Sequence, residues 1–128
     1  MKKEATGTFD VKLAPVGAGE GPIGNMSIDK TFHGDLQGTS VGQMLAFRSN
    51  VEGSAGYVAM ERMTASVNGR QGTFMLQHSG LMDKGEQSLT VVLVPDSATN
   101  GLAGLTGTMN IVVASGQRDY QFRYTLPD

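Results

Sequence analysis

The sequence predicts an all-β fold, a single antiparallel eight-stranded barrel occupying residues 1–128. Three observations carry that expectation. About eight short stretches alternate apolar and polar residues, and none shows convincing helical spacing. Glycine supplies 18 of 128 residues while charged residues make up only 17%, a composition of many turns and few solvated helices. At the centre stands Asn68-Gly69, the strongest short-range signal for a two-residue type I′ hairpin, because both central residues need positive φ. Eight antiparallel strands resolve their exposed edges by closing on themselves. Glycines 42, 56, 72 and 107 fall inside predicted strands, where a small closed barrel needs bends and close approaches.

Residues Glu4 to Leu13 form the first strand, with Ala5, Gly7, Phe9, Val11 and Leu13 on one face. Pro15 ends it, and Gly17, Gly19, Gly21 and Pro22 predict a mobile loop. The second strand runs from about Gly24 to His33, with Met26, Ile28, Lys30 and Phe32 on one face. Residues 34–38 read as a turn. Thr39 to Ser49 follows as the third strand, with Val41, Gln43, Leu45 and Phe47 expected to point inward.

The Asn68-Gly69 turn fixes the register of the next two strands, Tyr57 to Val67 and Arg70 to Gly80. Val67 faces Arg70, so Met63 faces Phe74, Glu61 faces Leu76 and Ala59 faces His78. One face then carries Tyr57, Ala59, Glu61, Met63, Phe74, Leu76 and His78, and its aromatic and apolar content marks it as buried. Glu61 and His78 become diagonal neighbours roughly 7–8 Å apart at the backbone. Gln77 lies on the opposite face.

Ser88 to Val94 is continuously apolar enough to predict burial on both faces, against an oligomeric neighbour or a covering loop. Pro95-Asp96-Ser97 starts a loop or a single helical turn. Thr106 to Val113 and Arg118 to Leu126 complete the set; the last places Tyr120, Phe122, Tyr124 and Leu126 on one face.

Composition excludes several functions. A formal charge of −2 gives no electrostatic case for nucleic acid or an anionic membrane. The absence of cysteine removes disulfides and thiolate sites, and two histidines alone argue against a closed zinc site. No metal and no cofactor are expected. Met1-Lys2-Lys3 is followed by no apolar run of signal-peptide kind, so a cytoplasmic, bacterial-type protein is the expectation. The glycine-rich stretch from Gly101 to Gly107 lacks a P-loop ending and opens no helix, which argues against phosphate binding.

Chemistry concentrates at Glu61 and His78. As a lumen carboxylate with a raised pKa, Glu61 would serve as a base or polar anchor; as a structural group it would pair with Lys30, Arg48 or a tyrosine hydroxyl. His78 would relay a proton or orient a ligand beside it, or be hydrogen-bonded within the core. The Tyr57 hydroxyl suits a carbonyl ligand or ordinary packing. His33 precedes a turn and is expected to cap backbone groups at the rim, where it would also guard a pocket mouth. Asp96 reads as a turn residue. Eight methionines suit an adaptable apolar lumen or plain core filling.

The segments 5–13, 26–40, 56–62, 74–80, 94–97 and 101–107 resemble a bacterial family catalogued as domain of unknown function 3224 (DUF3224), over nearly the whole chain. The resemblance implies a compact barrel like that of allene oxide cyclase and the plant dirigent proteins, a class that tends to oligomerise and to bind small apolar ligands in its lumen. Some members guide ring closure or isomerisation, but no cyclase motif matches here residue by residue. Three functions follow as expectations. The first is a barrel binding a small apolar or amphipathic molecule, with Glu61, Tyr57 and His78 anchoring its polar end and His33, Gln77 and Asp96 as further contact residues. The second is an isomerase or cyclase using Glu61 and His78. The third is a structural or assembly protein with a packed barrel. A homo-oligomer is expected in each case, with no nucleic-acid or membrane partner.

Overall fold

The computed structural model describes residues 2–16 and 22–127, and within them eight antiparallel strands close into a barrel. They are β1 (Lys2–Pro15), β2 (Gly24–Gly34), β3 (Leu36–Arg48), β4 (Ala55–Val67), β5 (Arg70–Asp83), β6 (Glu86–Leu93), β7 (Thr106–Ala114) and β8 (Gln117–Thr125). Each strand pairs with its sequence neighbours, and β1 pairs with β8 to seal the cylinder. The predicted loop glycines 17, 19 and 21 lie outside the described residues.

The Asn68-Gly69 turn behaves as its residues dictate. Both have positive φ, and the register is Val67 to Arg70, Met63 to Phe74, Glu61 to Leu76 and Ala59 to His78. Lys84-Gly85 and Ser115-Gly116 show the same pair of positive φ values, so the hairpins β5–β6 and β7–β8 turn in the same way.

The two ends of the cylinder differ. One is plugged. There the connection from β6 to β7 folds back over β5. Val94 N–H donates to the Met75 carbonyl (2.9 Å), Thr99 N–H to the Thr73 carbonyl (2.9 Å), and Met75 N–H to Ser97 Oγ (3.0 Å). A 3-10 turn at Asn100–Leu102 follows, slightly later than Pro95 led the sequence to predict, and drives Leu102 and Leu105 into the core. Beneath them Phe74 stacks on Phe122 (5.9 Å) and Phe9 on Phe32 (5.2 Å). Tyr120 fastens the β2–β3 turn: its hydroxyl accepts from Leu36 N–H (2.9 Å) and donates to the His33 carbonyl (2.8 Å). The opposite end, where β1–β2, β3–β4, β5–β6 and β7–β8 connect, is open among the described residues.

Two strands depart from the sequence reading. In β3 the inward row is Leu36, Gly38, Ser40, Gly42, Met44 and Ala46, so the connection before it is Asp35 alone and Val41, Leu45 and Phe47 are exposed on the outside. The outward row is the more apolar one because the true inward row is small. That smallness is needed. A Cβ at Gly42 would overlap the Met60 carbonyl oxygen and approach Glu61 Cα to 2.8 Å. Backbone cannot yield as a side chain can, so Gly42→Ala is expected to destabilise the fold by roughly 1–3 kcal/mol. The check is the urea midpoint; an unchanged midpoint would show that β3 and β4 can separate freely.

In β6 burial on both faces does not hold. Only Val91 and Leu93 are buried, and Leu89 is 40% exposed. The cause is the thin seam beyond it: β6 and β7 share only the registered pairs Val91–Met109 and Val92–Thr108. Toward the open end nothing covers the rest of β6 from that side among the described residues.

Candidate functional site

Half-way along the barrel, between the aromatic plug and the open end, three charged or titratable side chains meet. Glu61 projects inward from β4 and His78 from β5, on the shared face that the hairpin register sets. Lys30 projects inward from β2, two strands away. It reaches Glu61 across β3 because Ser40 and Gly42 leave that stretch of wall nearly bare. Lys30 Nζ donates to Glu61 Oε2 at 3.0 Å, and His78 Nε2 donates to the same oxygen at 2.7 Å. An ionised carboxylate only accepts, so a His78 proton sits on Nε2. The Lys30 ammonium also lies 4.9 Å from the Phe9 ring centroid, a cation–π contact on the side away from Glu61.

Glu61 is 0% exposed. Burial by itself pushes its carboxyl up. The His78 hydrogen bond, the Lys30 charge and the nearby imidazole outweigh burial and hold it at about 2. The raised pKa expected for a lumen base is therefore reversed, because an expectation from burial alone omits the partners. Oε1 and the Ser40 hydroxyl are both sealed and form no hydrogen bond, although the hydroxyl is close enough to favour the carboxylate charge.

Above this cluster a cleft of about 620 Å³ opens at the unplugged end. Its wall includes Met44, Ala46, Tyr57, Gly80, Met82 and Leu89, with Arg48 at the rim. Tyr57 connects cleft and cluster: it lines the cleft, and its ring centroid lies 6.5 Å from that of His78. The ring lies over Gly80, its registered partner, where any Cβ would strike it. Burial and the Glu61 charge both raise the Tyr57 phenol, which stays a neutral donor and acceptor. Glu61, Lys30 and His78 do not line the cleft. Met44 and Ala59, one inward position toward the open end, stand at the level between Glu61 and the cleft floor.

The other candidates stand apart. His33 is exposed at the plugged end and contacts the Asp10 carboxylate at 3.0 Å, so it neither caps backbone with its ring nor guards the open mouth, which is at the other end. Gln77 faces outward into solvent. Asp96 occupies a turn at φ 62°, exposed on the plugged end. Sequence reasoning named Lys30 as one of three possible partners for Glu61, and its place between Ile28 and Phe32 on an inward row was the signal for it. Arg48, another of the three, lies at the rim instead. Among the described residues no group of three or more His, Cys, Asp or Glu could hold a metal ion, and no helix is long and apolar enough to cross a membrane.

The family model described as a protein of unknown function (DUF3224) matches residues 5–124. No curated protein matches the chain. Among solved structures, the chain is similar to a protein with unknown function from the DUF3224 family of Shewanella oneidensis MR-1, whose crystal structure was determined at 1.84 Å. The two share 44% identity over 100% of this chain and 99% of that one, with a TM-score of 0.92.

Proposed function

The chain belongs to the DUF3224 family, and we propose that it takes up a small apolar or amphipathic molecule through the open end of its barrel. The observation that carries this reading is the cleft: a mostly apolar space bounded by Met44, Ala46, Tyr57, Met82 and Leu89 at one end of a barrel whose core is packed with side chains. Such a space, apolar with a few polar groups at defined places, is what small-molecule sites share. Tyr57 supplies the polar contact at the floor. Arg48, without an ion pair among the described residues, supplies a cation at the rim. Glu61, Lys30 and His78 act from beneath: they hold the floor rigid and set the charge felt by Tyr57.

An isomerase or cyclase that begins with proton abstraction by Glu61 is less well supported. A carboxylate held at about 2 is a weak base, far from the value near operating pH that general-base chemistry uses.

Binding is tested with a fluorescent apolar probe and with native mass spectrometry of protein purified from its own host. The wild type is expected to enhance probe fluorescence and to retain a co-purified small molecule. Ala46→Trp, which fills the mouth from an inward position opposite Tyr57, is expected to lose both while keeping its circular dichroism. Equal uptake by this variant would move binding elsewhere, and no uptake by the wild type would remove the reading.

A further inference from the structure

The outer wall at β3–β5 carries an apolar surface that the cleft does not account for. Val41 is 57% exposed, Leu45 46% and Phe47 47% on β3, Val58 52% and Met60 42% on β4, and Leu81 64% on β5. Leu45, Phe47, Val58, Met60 and Leu81 are neighbours, and the exposed Gln43, opposite Met60, stands between Leu45 and Val41 along β3. Leu45 pairs with Val58, and Phe47 and Leu81 flank Gly56, whose missing side chain keeps the surface between them flat. With roughly half of each side chain in water, the six expose on the order of 500 Å², the upper range for the largest apolar patch of a monomer.

We infer that this face is the contact between two copies of the chain, packed sheet to sheet about a twofold axis running along β3. The area fits: doubled across the axis it approaches 1,000 Å², about the lower bound for a specific interface before any polar rim is added. The charges also fit. Asp29 on β2 and Arg62 on β4 flank Val41 on either side, both exposed and neither in an ion pair among the described residues. An axis along β3 sets β2 of one copy against β4 of the other. Asp29 then meets the partner's Arg62, and the reverse pair forms by symmetry. Phe47 and Leu81 belong both to this face and to the cleft rim, so the second copy sits beside the mouth. The inference does not depend on what the cleft holds.

Sedimentation velocity and native mass spectrometry test it. The wild type is expected at twice the 13.5 kDa of one chain. Leu45→Glu is expected to run as a single chain with unchanged circular dichroism, whereas Val112→Glu, on the exposed β7 wall, leaves the dimer intact. Asp29→Arg weakens the dimer and Asp29→Arg with Arg62→Asp restores it, an arm that leaves the apolar residues untouched should Leu45→Glu fail to fold. A wild type that stays single at every concentration, an odd-numbered assembly, a dimer indifferent to both Leu45→Glu and Asp29→Arg, or one broken by Val112→Glu alone would each overturn the assignment.

Discussion

Glu61→Leu is expected to lower the unfolding free energy by about 3–5 kcal/mol, the usual cost of removing one partner from a buried ionic group. The loss is large because of what stays behind. Lys30 would remain beneath Phe9 and Phe32, almost wholly excluded from water, with no anion. His78 Nε2 would lose its acceptor at the same time. Against a typical total of 5–15 kcal/mol, one substitution removes a third or more of the stability. The cluster as a whole is worth far less than that figure, since three polar groups were desolvated to assemble it. Adding Lys30→Met to Glu61→Leu should therefore recover much of the loss. Chemical denaturation of the wild type, the two single variants and the double variant forms a cycle that separates the cost of orphaning a charge from the worth of the pair. A loss below about 1 kcal/mol for Glu61→Leu alone, the range of an exposed pair, would mean that water reaches the cluster and that the floor of the cleft is not sealed.

Much of this arrangement is legible in the sequence, and the illegible part has a specific cause. Asn68-Gly69 fixes the β4–β5 register, and counting from it places Glu61 and His78 on one buried face. Local chemistry suffices there because a two-residue turn leaves no freedom to slip. β3 is the opposite case. Its connections are less constraining, and its outward row is more apolar than its inward one, since Ser40 and Gly42 face the interior to admit the Lys30–Glu61 contact. Binary patterning assumes that the apolar row is the buried row. That assumption fails where a long charged side chain from the next strand fills the space and where the outer wall is itself apolar. The same omission reverses the expected titration of Glu61. Burial can be read from an apolar strand face, but the partners that overcome it come from β2 and β5, and their convergence on one oxygen is a property of the closed cylinder alone. The plug is also beyond local reading: residues 94–99 look like a surface loop until their hydrogen bonds to Thr73 and Met75 show them covering the end of β5.

The depressed Glu61 carboxyl makes acid the condition to which the barrel should be most sensitive. Its folded value of about 2 lies below the 4.5 of an unperturbed glutamate, so the unfolded chain binds the proton more readily than the folded one. The resulting stabilisation is complete above pH 4.5 and is lost as pH falls toward 2. A separation of this size corresponds to about 3 kcal/mol at neutral pH. Other carboxylates also titrate in that window, so the expected result is a difference. Between pH 5 and pH 2, the wild type should lose about 3 kcal/mol more than a Lys30→Met, Glu61→Gln double variant, which removes the carboxylate without leaving an ammonium unpaired. Urea midpoints at a series of pH values give both curves. Parallel curves through that range would show that Glu61 titrates alike in folded and unfolded protein, which is incompatible with two hydrogen bonds to one sealed oxygen. Divergence would identify the cluster as an ionised strut, built to hold its shape beneath the cleft and not to exchange protons with whatever the cleft contains.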